Sequence, residues 1–132
     1  MTDLPDFLKQ GEAARLFPVL STTSKEGRAT SILLSCIDKV DEFAAELLKT
    51  LGLKPGKRTV VQSYTEVVFK DLSQDDKRPD GLIIVSTGVQ KKYYLVEAKI
   101  GSAKLNASQI ESYVRICKEK KLEGVITISN QF

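Results

Sequence analysis

The fold of this chain is decided by residues 81–100, GLIIVSTGVQKKYYLVEAKI, which have the pattern of two strands joined by a tight turn. Gly88 as the first residue of a two-residue loop fits a type II′ turn, which requires a positive φ at that position. If Gly88 and Val89 form the loop, Thr87 pairs with Gln90. The sequence therefore predicts a β-hairpin with a defined register.

Charged residues stand at the open end of this hairpin. Glu97 and Lys99 interrupt an apolar strand and project from the same face, because side chains alternate along a strand. The predicted register sets Asp80 directly opposite Glu97, with Cβ atoms about 4.5–5.5 Å apart. Two carboxylates at that separation repel unless a cation lies between them, and Mg²⁺ prefers oxygen ligands. We therefore expect a hard-metal site with a lysine beside it.

The composition limits the chemistry that this chain can perform. Its 132 residues suffice for one domain with a hydrophobic core, so we expect residues 1–132 to form a single unit. The absence of histidine excludes Ser-His-Asp hydrolysis, HNH-type nucleases and His-containing zinc sites. Cys36 and Cys117 stand alone in apolar helical patterns, and we expect both in the core. Catalysis must therefore use carboxylates, lysine, hydroxyl groups or a metal ion.

Charge and hydropathy bear on partners and location. No run approaches 18 apolar residues and no signal-peptide pattern opens the chain, so we expect a cytoplasmic protein without a membrane partner. The net charge of +3 permits a polyanionic partner without requiring one. Basic residues cluster at 54–58 and 118–121, and such clusters are more often solvated surface than phosphate contacts.

The order of elements follows from periodicity and from turn residues. Residues 1–25 are expected to wrap around a core formed by residues 26–129. The predicted core elements are a helix at 26–51, a strand at 59–69, the hairpin, a helix at 106–121 that ends near Gly124, and a strand at 125–129. A right-handed crossover makes the last strand parallel to the second hairpin strand. The expected fold is α/β, with the order α-β-β-β-α-β and a mixed sheet flanked by helices. The end of the chain so soon after the last strand suggests a fragment of a longer protein.

Three short motifs in this order resemble the PD-(D/E)XK nuclease superfamily, whose fold is that of restriction endonucleases and RecB-like nucleases. Pro79-Asp80 looks like the PD element, and Glu97-Ala98-Lys99 looks like the (D/E)XK element. Gln109 and Tyr113 match the QxxxY motif of the RecB-like branch. The resemblance covers residues 26–129.

This resemblance implies metal-dependent hydrolysis of a phosphodiester. Asp80, Glu97 and the backbone carbonyl of Ala98 would hold Mg²⁺ or Mn²⁺, and Lys99 would orient or stabilise the attacking hydroxide.

Further residues are implied by the same resemblance. Gln109 and Tyr113, one helical turn apart, would position the scissile phosphate or the Lys99 end of the site. A glutamate of the first helix would complete the acidic cluster, with Glu26 as the first candidate and Glu66 as the second. The implied substrate is DNA, cut in the manner of an endonuclease. Cutting both strands usually needs two sites, which favours a homodimer, and further domains of a parent protein are also expected partners.

Simpler interpretations compete with this one residue by residue. Asp80 occupies a Pro-Asp-Gly sequence that is common in turns, and Glu97 with Lys99 could be a structural ion pair. Glu26 could act only as part of a capping box at residues 23–26, which would stabilise the start of the helix. Gln109 could have the same structural role in a capping box at residues 106–109. Tyr113 could simply pack in the core. For the whole chain, the alternatives are a non-catalytic nuclease-fold module that binds nucleic acid or a partner, and a small-molecule enzyme with Lys99 as base.

Overall fold

The described part of the chain folds as a mixed α+β structure with five strands and three helices. The computed structural model describes residues 4–14, 25–54, 56–70, 78–99 and 106–129. Its elements are β1 (Leu8–Ala13), α1 (Lys25–Lys39), α2 (Asp41–Thr50), β2 (Thr59–Phe69), β3 (Gly81–Thr87), β4 (Gln90–Lys99), α3 (Ala107–Lys120) and β5 (Gly124–Ser129). Within these ranges, no helix combines the length and the hydropathy that a membrane span requires.

The five strands form one mixed sheet in the order β1-β2-β3-β4-β5. Neighbouring strands from β1 to β4 are antiparallel, whereas β5 is parallel to β4. The predicted hairpin register is confirmed, since Thr87 pairs with Gln90 and the ladder continues to the pair of Gly81 and Val96. Gly88 has a φ of 65°, as its turn position requires.

The helix predicted at residues 26–51 is two helices, and the single-helix prediction was wrong. Val40 adopts extended angles, with φ −114° and ψ 103°, and separates α1 from α2. Asp41 and Glu42 occupy the first turn of α2, where acidic side chains favour a new helix start. The apolar periodicity continues across this break, so it gave no warning of the change in direction. Val40 itself is 43% exposed.

The first strand of the sheet was not predicted. Residues 1–25 were expected only to wrap around the core, but β1 forms an antiparallel edge strand along β2. Of its six residues only Leu8 is buried, so the sequence lacks the apolar alternation that marks most strands. The sheet therefore contains one strand more than predicted, and that strand precedes α1 in the chain.

The sheet has an apolar core on each face. The core on the α3 side contains Leu8, Tyr64, Val67, Phe69, Leu82, Ile84, Leu95, Tyr113, Ile116, Cys117 and Leu122. The core on the side of α1 and α2 contains Ala14, Leu34, Ile37, Leu48, Ile83, Val85, Tyr94 and Val96. Alternate residues of β3 and β4 thus supply the two faces, which are both covered by helices. Cys117 is buried as predicted, whereas Cys36 is only half-buried.

A bulge bends β2 and ends its pairing with β3. Glu66 has a φ of 53°, a left-handed conformation that is uncommon for a residue with a side chain. The β2–β3 ladder stops at Thr65, opposite Gly81, while β2 continues along β1 to Phe69. Phe7 then stacks on Phe69 and meets Tyr93 edge to face, with ring centroids 5.1 Å apart. Since Tyr93 lies in β4, the bent end of β1 and β2 folds over the α3 face.

The end of α3 also differs from the prediction. Gly124 was expected to terminate the helix, but the left-handed residue at its C-terminal cap is Lys121, with a φ of 59°. Gly124 instead begins β5, which pairs with β4. The N-terminal end agrees with the prediction, because the Asn106 side chain accepts hydrogen bonds from the backbone N–H groups of Ser108 and Gln109.

Candidate active site

Asp80 lies immediately before β3, at the end of the sheet opposite the hairpin turn. Continuing the register beyond the pair of Gly81 and Val96 brings Asp80 level with Glu97. The Asp80 side chain is half-buried, and its Oδ2 accepts a hydrogen bond from the backbone N–H of Ala98 at 2.6 Å. A charged acceptor makes such a bond stronger than a neutral one. The bond fixes the Asp80 carboxylate to β4.

Glu97 is a carboxylate almost completely removed from water. The residue is 1% exposed, on the α3 face of the sheet, and its Oε1 lies 3.3 Å from Nζ of Lys99. Lys99 keeps 20% of its side-chain surface exposed, whereas the Glu97 side chain keeps 2%. Among the described residues, no group donates a hydrogen bond to Oε2 of Glu97. A buried acceptor without a donor is costly, because it has lost its bonds to water.

Burial and charge both act on the protonation of Glu97. Burial is the larger cause and raises the pKa of Glu97 above its ordinary value of 4.5, and the Asp80 carboxylate raises it further. The Lys99 ammonium lowers the pKa of Glu97, but by less than burial raises it. An additional cation near Oε2 would therefore stabilise the charged form. We refer to Asp80, Glu97 and Lys99 as the carboxylate cluster.

The two residues of the QxxxY pattern meet at this cluster. Tyr113 of α3 is fully buried, and its hydroxyl donates a hydrogen bond to the carbonyl oxygen of Arg78 at 2.8 Å. Gln109 donates from Nε2 to the same hydroxyl at 3.0 Å. Burial, followed by the charge of Glu97, raises the pKa of Tyr113 well above its usual range, so the hydroxyl keeps its proton. The Gln109 side chain is therefore hydrogen-bonded to Tyr113. In a capping box it would instead accept from the backbone N–H of Asn106.

Helix α1 sets the position of β3 next to the cluster. A Cβ atom on Gly81 would lie 2.5 Å from Cδ1 of Leu34 and 2.9 Å from the carbonyl oxygen of Tyr64. The hydroxyl of Ser63 in β2 donates to the Leu34 carbonyl at 2.8 Å, which ties α1 to the sheet at the same level. Glycine is therefore required directly after Asp80 by this close approach. The sequence contains the Pro-Asp-Gly pattern but no sign of the contact with Leu34.

The two predicted additional glutamates do not complete the cluster in the described residues. Glu66 lies at the β2 bulge, has a left-handed backbone and is exposed. Glu26 lies in the first turn of α1, but its side chain and the proposed capping box at residues 23–26 fall outside the described part of the structure. Across the described ranges, no three Cys, Asp or Glu side chains converge as metal ligands.

The residues present nevertheless fit a hard cation in one respect. Oε2 of Glu97 is a buried oxygen acceptor with no donor among the described residues, beside a second carboxylate. Oxygen ligands of this kind suit Mg²⁺ and Mn²⁺, and a cation there would satisfy the orphaned atom and offset the repulsion between Asp80 and Glu97. The donor set would consist of these carboxylates with the Ala98 carbonyl.

Other surface features lie away from the carboxylate cluster. A cavity of about 370 Å³ between α2 and the start of β2 is lined by residues that include Asp41, Lys57 and Thr59. Thr59 pairs with Thr87, so this cavity is at the hairpin-turn end of the sheet. The basic residues at 118–121 lie at the far end of α3 from Tyr113, and Lys120 contacts the Phe69 ring.

Sequence reasoning missed the role of the Arg78 backbone. Its carbonyl is the acceptor that connects Tyr113 to the segment before Asp80, and no sequence pattern marks a backbone acceptor.

Searches of protein-family models, of curated proteins and of solved structures found no match to this chain.

Proposed function

We propose that this chain is a metal-dependent nuclease domain that hydrolyses DNA phosphodiester bonds, with a restriction-endonuclease-like core. The observation that supports this proposal is the buried Glu97 carboxylate, with Lys99 on Oε1 and no described donor on Oε2. A structural ion pair would need only the Lys99 contact. The adjacent Asp80 adds a second negative charge, which a purely structural role would tend to avoid.

Asp80, Glu97 and the Ala98 carbonyl would hold Mg²⁺ or Mn²⁺ in this proposal. When bound, the metal ion would supply an acidic water and neutralise charge on the phosphoryl oxygens in the transition state. The Ala98 N–H fixes the Asp80 carboxylate, so one ligand is oriented before the cation arrives. Burial of Glu97 keeps competing water away from the other ligand.

Lys99 would act at the solvent edge of the cluster. Its ammonium contacts Oε1 of Glu97 and is partly exposed, so it can contact both the carboxylate and a group arriving from solvent. In the proposed reaction, Lys99 orients the attacking water and stabilises negative charge as the water loses its proton. The role requires a cation at this position, and alanine cannot supply one.

The test is cleavage of labelled single-stranded, duplex and branched DNA with Mg²⁺ or Mn²⁺. We expect metal-dependent cutting that is abolished by EDTA and by Lys99→Ala. Lys49→Ala is the matched control, because it removes a lysine that pairs with Glu46 on the exposed surface of α2. Equal cutting by wild type and Lys99→Ala would refute the assignment of Lys99.

A second candidate function is a nuclease-fold module that binds nucleic acid without cutting it. One observation favours it, namely that only two side-chain carboxylates meet in the described residues and one of them already bonds to Ala98. DNA binding that weakens steeply with salt, together with no cutting at any metal concentration, would support this alternative.

A further inference from the structure

Tyr113 makes a connection between two distant parts of the chain. Its hydroxyl has one proton, which is donated to the carbonyl of Arg78, 35 positions earlier in the sequence. The hydroxyl oxygen in turn accepts from Nε2 of Gln109. The fully buried hydroxyl therefore has two hydrogen-bond partners here, and it also interacts with the Glu97 side chain. A tyrosine that only packed in the core would not need this arrangement.

The Arg78 carbonyl belongs to the segment that leads into β3. Ladder pairing of β3 begins at Gly81, on the β2 side and on the β4 side alike. Residues 78–80 are instead held by the Tyr113 bond at one end and by the bond from Ala98 to Asp80 at the other. Pro79 between them is buried and has a fixed φ, so movement at Arg78 is transmitted to Asp80.

We propose that Tyr113 and Gln109 are positioning residues that fix the Arg78–Asp80 segment and thereby place the Asp80 carboxylate against β4. Oε2 of Glu97 has no hydrogen-bond partner among the described residues, so it can accept a cation. This role differs from the one that the resemblance implied, which was to position the scissile phosphate or the Lys99 end of the site. The positioning is independent of catalysis, whereas its effect on cation binding rests on the proposed function.

The direct readout is the backbone N–H of Ala98, observed by ¹⁵N NMR and by hydrogen exchange. Tyr113→Phe retains the ring but removes the hydroxyl, so the Asp80 carboxylate should lose its fixed position. We expect the Ala98 amide resonance to move toward its value in Asp80→Ala, and its exchange to become about ten-fold faster. The amides of Leu82 and Leu95 in the middle of the sheet should keep wild-type exchange rates.

Two further variants make the test decisive. Tyr93→Phe is the matched control, since it removes a hydroxyl from the same face of the sheet near the other end of α3, and it should leave the Ala98 amide unchanged. If Tyr113→Phe does not fold, Gln109→Leu provides the test. This variant removes only the bond from Gln109 that orients the Tyr113 hydroxyl. We expect a smaller shift of Ala98 in the same direction. Wild-type behaviour of the Ala98 amide in the folded variants would overturn the proposal.

Titration with Mn²⁺ separates this inference from the proposed function. If the wild type binds Mn²⁺, Tyr113→Phe should weaken the binding by about ten-fold or more, which is typical when a group that orients a ligand is removed. If the wild type binds no Mn²⁺ but the Ala98 amide still responds to Tyr113→Phe, the positioning role stands and the nuclease assignment fails. Weakened Mn²⁺ binding with an unchanged Ala98 amide would show that Tyr113 acts by another route and would overturn the inference.

Discussion

The Asp80 carboxylate is bonded to the backbone of Ala98, with Oδ2 and N 2.6 Å apart. This bond connects the segment before β3 to the part of β4 that carries Glu97 and Lys99. It extends the β3–β4 pairing by one step, with a side chain in place of a backbone carbonyl. An aspartate in an ordinary turn would bond to its own neighbours, whereas this one bonds 18 positions ahead.

Replacing Asp80 by alanine should affect both stability and metal binding. The Ala98 N–H would lose a charged acceptor, which we expect to lower the free energy of unfolding by about 1–3 kcal/mol. Mn²⁺ binding should be lost, because Glu97 would be the only described carboxylate at the cluster. Urea denaturation and calorimetric titration measure the two effects. Unchanged Mn²⁺ affinity would remove Asp80 from the ligand set.

Replacing Lys99 by alanine should abolish cleavage and leave the fold intact. The loss of an oriented acid–base or charge-stabilising group typically lowers a rate by about a hundred-fold or more. Single-turnover cleavage at saturating Mg²⁺, with circular dichroism to verify folding, measures this loss. Lys99→Arg is an informative companion, since it retains the charge but changes its shape, and we expect only partial activity.

Glu97 should make the stability of the metal-free protein depend on pH. Burial raises the folded pKa of Glu97 above 4.5, so the folded state retains a proton that the unfolded chain releases. The associated stability is present below the unfolded pKa and is lost as the pH rises through the folded pKa. Glu97→Gln removes this dependence, so the variant should gain stability relative to wild type between about pH 4 and pH 8. The measurement is the free energy of unfolding of Glu97→Gln and of wild type at about pH 4 and about pH 8. If the difference between the two proteins is the same at both pH values, the prediction is wrong.

Gly81→Ala should destabilise the domain by crowding α1 and the neighbouring strand. The added Cβ meets Cδ1 of Leu34 at 2.5 Å, which rotation of that side chain can relieve, and the backbone carbonyl of Tyr64 at 2.9 Å, so β2 and β3 must shift. Overpacking of this kind costs about 1–3 kcal/mol. Gly124→Ala is the matched control, because no atom lies within 4 Å of its added Cβ, and it should be nearly neutral. Equal free energies of unfolding for the two variants in urea would show that the residues around Gly81 rearrange to accommodate the added Cβ.

The hairpin could be predicted from the sequence because local chemistry determines its register. Gly88 identifies the turn, and the apolar runs on both sides leave only one pairing that buries them. The approach of Asp80 to Glu97 follows from that register and did not require a structure. Long-range side-chain bonds are different, since nothing in the sequence indicates that Tyr113 will bond to the carbonyl of Arg78.

The helix break and the strand bend were not predictable by the same means. At Val40 the apolar period continues through a change in direction, so periodicity alone extends the helix. At Glu66 a residue with no special backbone preference takes a left-handed conformation, at the irregularity in the β1–β2 register. Both features depend on tertiary contacts, which override local propensity.

The bend at Glu66 also has a consequence for motion. Because the β2–β3 ladder ends at Thr65 and Gly81, residues 78–80 are held by side-chain bonds rather than by a ladder with β2. Opening this corner breaks a few bonds and leaves the five-stranded sheet paired. We expect hydrogen exchange there to occur by sub-global opening, faster than exchange at the centre of the sheet. The corner that carries Asp80 is therefore expected to open locally without unfolding of the rest of the domain.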